Sequence, residues 1–152
     1  MFDALFLLGE VRLILKSFLC YSKYNEFSGG IRRLALSFYW YPKCGTCRKA
    51  KKWLDDHQVD YKDIHIVENP PTSEELEAIY KNSQVELKKF FNTSGNKYRE
   101  LGLKDKIGSL TEKEQLNILA SDGMLIKRPL ITDGHKVTFG FKEDEYEKTW
   151  LK

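Results

Sequence analysis

The chain is poor in the features that mark specialised classes of protein. It has only three cysteines in 152 residues, too few for a disulfide scaffold. Its formal net charge is +3, whereas a general nucleic-acid binder shows a far more basic surface; direct binding to nucleic acid is therefore not expected. Its most apolar stretch, MFDALFLLGEVRLILKSFLCY, is interrupted by Asp3, Glu10, Arg12 and Lys16. A spanning helix needs about 20 mostly apolar residues, so no membrane span is expected. A secretory signal begins basic and ends at a small-residue cleavage site, but this start carries Asp3. Internal repeats and low-complexity tracts are missing too. A chain without an export signal is expected in the reducing cytoplasm. There a close cysteine pair is more often catalytic, redox-sensing or metal-binding than a permanent staple.

What is present is ordinary for one globular domain with a real core: 41% apolar and 31% charged residues. The front departs from this. Residues 1–33 form an atypical extension, readable as an amphipathic helix on a membrane or on the domain, joined through NEFSGG. The other reading is upstream translation, with the natural protein beginning near Leu34. Gly29-Gly30 and Arg32-Arg33 are what a purine-rich ribosome-binding stretch would encode. Cys20 lies here and is assigned no role. The domain proper is expected over 34–152.

From Leu34, LALSFYWY reads as a buried strand stopped by Pro42. The helix after it begins near Cys44 or Gly45 and turns Cys47, Ala50, Trp53 and Leu54 to one face. VDYKDIHIV, residues 59–67, reads as a second strand, parallel to the first because a helix joins them. Thr72 with Glu75 and Thr111 with Glu114 have the spacing of capping boxes. Between them lie short helical pieces: an apolar cluster of Leu87, Phe90 and Phe91, a break at NTSG, then a cluster of Tyr98 and Leu101 closed by Gly102. Gly123 ends the helix after Thr111. MLIKRPLIT reads as a strand, DGHK as a turn, VTFGF as the hairpin partner and KEDEYEKTW as a last helix. The class is α/β, in the order β-α-β-α, a helical insert, then β-β-α.

The chemistry centres on Cys44-Gly-Thr-Cys47. A thiolate is the reactive form of cysteine, and a free thiol, with pKa about 8.5, is mostly protonated at neutrality. A sulfur at a helix start meets unpaired N–H groups and the helix dipole, both of which favour negative charge. Lys43, Arg48 and Lys49 add positive field, and with Lys51 and Lys52 form a basic set able to draw anionic partners. In a Cys-x-x-Cys pair so placed the first thiol is the nucleophile and the second attacks the mixed disulfide. Cys44 and Cys47 take those roles here. Two other readings compete. Zinc wants four ligands, and only Cys20 and the unpaired His57, His65 and His135 could add to the pair, so no metal is expected. An inert core pair is the remaining alternative.

Lys127-Arg128-Pro129-Leu130 is the second candidate site. Proline is costly inside a central strand but fits a strand's start, where a cis bond would be a specific feature. Arg128 offers a positive fork for an anion or a thiolate. The plainer alternative is an edge proline beside a surface arginine.

YPKCGTCRKAKKWL, NPPTSEEL, YRELGL, LIKRPLI and VTFGFKEDEYEKTW, taken in order, resemble the arsenate reductase (ArsC)/Spx-like family from about Leu34 to the end. The resemblance implies a thioredoxin-like (glutaredoxin-like) fold with a helical insert, a cis proline beside the active cysteine, and Arg128 as the arginine near the thiol. It also implies a thiol-disulfide oxidoreductase or a redox-switched regulator, with glutathione, glutaredoxin or thioredoxin as electron donor and no bound cofactor. Glutaredoxin-linked arsenate reductases hold the oxyanion with three arginines, and two of those positions match Lys88 and Gln115 here. Lysine is a point charge and glutamine has none, which weakens bidentate oxyanion binding. Spx binds RNA polymerase, but its contact glycine has no clear match in NSQVELKK and its basic tail is missing. The implied partners are a thiol or disulfide protein, glutathione, or RNA polymerase. The implied site is Cys44, Cys47 and Arg128 for catalysis, with Lys43, Lys88 and Pro129 contacting substrate.

Overall fold

A computed structural model describes residues 35–151, all within the compact unit Leu34–Lys152. The two readings of residues 1–33, and Cys20 with them, lie outside the described residues.

Strand β1 (Leu36–Trp40) is shorter than its apolar run. Pro42 and Lys43 make a turn closed by the Cys44 N–H on the Tyr41 carbonyl, 2.9 Å away. Helix α1 (Gly45–Asp56) follows and buries Cys47, Ala50, Trp53 and Leu54, the face set by helical spacing. Strand β2 (Tyr61–His65) returns parallel to β1, pairing Leu36 with Tyr61 and Trp40 with His65. Helix α2 (Ser73–Ser83) starts on the Thr72/Glu75 capping box. The insert comprises a 3₁₀ turn (Leu87–Phe90), α3 (Asn96–Glu100), α4 (Leu103–Lys106), a second 3₁₀ turn (Ile107–Ser109), and α5 (Glu112–Ser121), which has its own capping box at Thr111/Glu114. Strands β3 (Leu130–Thr132) and β4 (Val137–Phe139) form the antiparallel hairpin, and α6 (Glu143–Trp150) follows. The sheet order is β2-β1-β3-β4, with β3 antiparallel to β1.

Side chains alternate across a strand, and both faces of this sheet are covered. Phe38 and Ile131 pack with Ala50, Trp53, Leu54, Tyr146 and Trp150, contributed by α1 and α6. Their neighbours Tyr39 and Leu130 pack the other way, with Ile66, Leu76, Ile79 and the insert's Phe90, Phe91 and Leu119. The result is three layers, with β1 in the middle of the sheet. The thioredoxin-like α/β class inferred from the sequence, insert included, is the fold observed.

Three local readings need correction. MLIKRPLIT is not one strand: Gly123–Leu125 is a 3₁₀ turn, and only Leu130–Thr132 joins the sheet. Proline has no N–H for a ladder. Upstream of Pro129 the backbone bonds the insert instead, with Asn92 N–H on Leu125 O and Lys127 N–H on Phe90 O, both at 2.7 Å. Gly123 does not end α5, which stops at Ser121; it opens the 3₁₀ turn capped by the Asp122 side chain. Leu101 is not in the core but 47% exposed, and Leu103 and Ile107 supply the apolar contacts near Tyr98.

Candidate functional site

Cys44 is the N-cap of α1. Its backbone is extended (φ −88°, ψ 117°), and its Sγ accepts the Cys47 N–H at 3.4 Å. The sulfur therefore meets the first turn of a twelve-residue helix where amide hydrogens lack intrahelical partners. Cys44 is half-buried and Cys47 has no exposed surface. Both are free thiols. The difference follows from position: Cys47 belongs to the apolar face that also holds Ala50 and Trp53, whereas Cys44 precedes the helix.

Burial pushes the Cys47 thiol up to about 12, and the nearby Cys44 sulfur adds to the effect. A backbone hydrogen bond from Tyr41 and the charge of Arg128 act in the opposite direction. Cys47 is thus a neutral thiol at physiological pH, within electrostatic reach of the arginine the sequence singled out.

Arg128 and Pro129 are joined by a cis peptide bond. Pro129 is buried, and its carbonyl accepts the Gly140 N–H at 2.9 Å, anchoring the bond at the hairpin. The Arg128 guanidinium lies 5.5 Å from the centre of the Tyr41 ring and donates to the Met124 sulfur. Among the described residues no carboxylate pairs with it, so its charge is not neutralised by an acidic neighbour. Beside it is a cavity of about 340 Å³ lined by Asn92, Ser94, Asn96, Lys97, Met124 and Arg128.

The other candidates are scattered. Lys43 is exposed in the turn before Cys44. Lys88 is exposed on the first 3₁₀ turn and is not among the residues lining the cavity beside Arg128. Gln115 directs its amide to the carbonyls of Ile107 (3.1 Å) and Leu110 (3.0 Å). Within the basic set, Lys51 pairs with Asp63 and Lys52 faces Asp56 at 3.9 Å, while Lys43, Arg48 and Lys49 form no ion pair among the described residues. His57 stacks on Trp53 with ring centres 4.1 Å apart, and His65 Nδ1 accepts the Glu68 N–H.

Sequence reasoning missed Tyr41, Met124, Asn92 and Lys97. Tyr41 was visible only as the end of an aromatic run, and the other three gave no signal of their own. Their proximity to Arg128 is a product of the fold, which bonds the insert to the segment before Pro129.

The ArsC family model matches residues 39–149. The chain is 66% identical over 117 residues to the uncharacterized protein YusI of Bacillus subtilis (strain 168), an alignment covering 77% of this chain and 99% of that protein. It is 33% identical over 113 residues to the Regulatory protein MgsR of the same organism, covering 74% of this chain and 88% of that one. Among solved structures, a possible arsenate reductase from Streptococcus mutans UA159 is 51% identical with a TM-score of 0.69, covering 74% of this chain and 97% of the other.

Proposed function

The chain belongs to the ArsC family, and on that footing we propose that it is a thiol-disulfide redox protein with Cys44 as nucleophile and Cys47 as resolving thiol. The observation that supports this most directly is the pairing of a half-buried sulfur at the first amides of α1 with a fully buried one a turn later. The half-buried sulfur is open to a partner, and the buried one is shielded from it.

The electrons balance as follows. The Cys44 thiolate attacks a partner disulfide, forming a Cys44–partner disulfide and expelling one partner sulfur as a thiolate, which takes up a proton. The Cys47 sulfur then attacks Cys44 Sγ and loses its proton as the second partner thiolate leaves. The partner is reduced by two electrons and the Cys44–Cys47 pair is oxidised to a disulfide. A cellular thiol, glutathione or a glutaredoxin- or thioredoxin-type dithiol, restores the pair.

The environment of Cys47 keeps this thiol protonated in the resting protein. Burial raises the Cys47 pKa most, the neighbouring Cys44 raises it further, and Tyr41 and Arg128 act to lower it.

Trapping tests this reading. Cys47→Ser should accumulate mixed disulfides through Cys44 in cells, and Cys44→Ser should abolish disulfide reduction; full activity of Cys44→Ser would overturn it. The cycle suits a reducing cytoplasm, and among the described residues no helix is long and apolar enough to cross a membrane.

Likeness to MgsR supports a second reading, in which the Cys44–Cys47 bridge switches affinity for a protein partner such as RNA polymerase. A partner captured under only one redox condition, without turnover, selects this reading. Likeness to the Streptococcus mutans protein supports a third, arsenate reduction with Arg128 as the oxyanion contact. Arsenate-dependent turnover with glutathione and glutaredoxin, sharply weakened in Arg128→Ala, selects that one.

A further inference from the structure

The groups of this site come from separate parts of the chain. The cysteines open α1, Arg128 precedes β3, and Met124 lies in the 3₁₀ turn of the segment tied to the insert. Tyr41, just past the end of β1, meets several of them. Its carbonyl accepts the Cys44 N–H at 2.9 Å. Its ring centre is 5.5 Å from the Arg128 guanidinium carbon. The same ring stands edge-on to His65, with centres 5.7 Å apart and planes at 82°, which fixes its tilt.

Arginine is long and flexible, and its charge acts at a defined point only if something holds it. Among the described residues no carboxylate holds Arg128. The two groups that do are the Tyr41 ring and the Met124 sulfur. Neither carries a compensating negative charge. An aromatic face attracts the cation through its quadrupole and leaves the full charge available to a sulfur. A carboxylate in that place would orient the arginine and cancel it.

We infer that Tyr41 is the positioning residue of this site, its ring holding Arg128 while its main chain fixes the turn that carries Cys44. The inference rests on the thiol-disulfide reading above. It assigns the work to the ring face: the Tyr41 hydroxyl makes no hydrogen bond among the described residues.

The test uses the full chain in two assays: the alkylation rate of Cys44 by iodoacetamide near neutral pH, and the dithiol–disulfide equilibrium in glutathione buffers. Tyr41→Phe keeps the aromatic face and should stay within about twofold of the parent. Tyr41→Leu keeps bulk without the face and should slow alkylation by about fivefold, the scale of one cation–π contact. It should also shift the equilibrium toward the disulfide by a similar factor, because the reduced form loses charge stabilisation. Arg128→Ala should do at least as much, and the double variant should be no slower than Arg128→Ala alone. Parent-like behaviour of Tyr41→Leu beside a slow Arg128→Ala, or additive losses in the double variant, overturns the positioning role and leaves the thiol-disulfide reading standing. An Arg128→Ala protein that matches the parent overturns the positioning role together with the part given to Arg128 in the proposed function. Thermal melts show whether each variant is folded. If Tyr41→Leu is unfolded, Tyr41→Met takes its place with the same expected and overturning results, and a loss in Tyr41→Phe overturns the assignment to the ring face.

Discussion

The Cys47 backbone N–H points at Cys44 Sγ across 3.4 Å, while the Cys47 side chain is sealed in the core. One residue therefore supplies both an amide donor to the accessible sulfur and a second sulfur that solvent does not reach. In native protein iodoacetamide should label one cysteine of this pair, Cys44. In Cys44→Ser, Cys47 should stay unlabelled until the protein unfolds. Peptide mass mapping after brief labelling checks this, and equal labelling of Cys44 and Cys47 in folded protein would rule it out.

The alkaline limb of stability should report Cys47. Its pKa is about 12 in the folded protein, raised chiefly by burial, against about 8.5 for a free cysteine. Between those values the unfolded chain has released the proton and the folded one retains it. The folded state binds more protons, so stability falls as pH rises through this window, by up to about 1.4 kcal/mol per pH unit. Above about pH 10 the tyrosines join in: Tyr39 is raised to about 12, and Tyr61 and Tyr146 are also shifted upward, in each case mainly by burial. The interval from about pH 8.5 to 10 belongs to Cys47 among these four groups. Urea unfolding in reducing buffer should show a falling stability there, and Cys47→Ala should flatten it. Identical slopes for the two proteins would remove Cys47 as the cause.

The parts of this molecule legible in its sequence are those set by short-range patterns. LSFYW before a proline, the apolar spacing from Cys47 to Leu54, and Thr72 and Thr111 three residues before glutamates each carry their physics within a few positions. The placing of Cys44 at the helix start and of Cys47 on its buried face was legible for the same reason, since the strand–Cys-x-x-Cys–helix unit is local. The run from Met124 to Thr132 was misread because its partner changes midway, from Phe90 and Asn92 to β1. Leu101 is as apolar as Leu103, and only the direction of the chain through α3 and α4 decides which is buried. The contact between Tyr41 and Arg128 spans most of the domain's length, and no spacing rule encodes it.

Gly123 should tolerate no side chain. A Cβ there would sit 2.0 Å from the Ile66 carbonyl oxygen, which is main chain and cannot swing aside. Gly123→Ala must push apart the 3₁₀ turn and the end of β2, at an expected cost of about 3 kcal/mol. The turn carries Met124, so thiol reactivity should fall with stability. Gly108→Ala is the control, because nothing lies within 4 Å of its added Cβ, and it should change stability by less than about 1 kcal/mol. Denaturant midpoints of the two variants make the comparison; equal midpoints would contradict the close approach at Gly123.

Restoring arginines by family resemblance should fail to build an oxyanion site. Lys88 and Gln115 match two arginine positions of the glutaredoxin-linked arsenate reductases, but neither lines the cavity beside Arg128. The Gln115 amide is committed to the carbonyls of Ile107 and Leu110, closing the bend between α4 and α5. Gln115→Arg removes a fitted amide from a partly buried position and should lower stability by about 1–2 kcal/mol. Lys88→Arg, on an exposed turn, should stay within about 0.5 kcal/mol of the parent. The Lys88→Arg/Gln115→Arg protein should show no gain in arsenate-dependent turnover with glutathione and glutaredoxin over the parent. A gain of tenfold or more would mean that these two positions do face the anion, and would overturn this prediction.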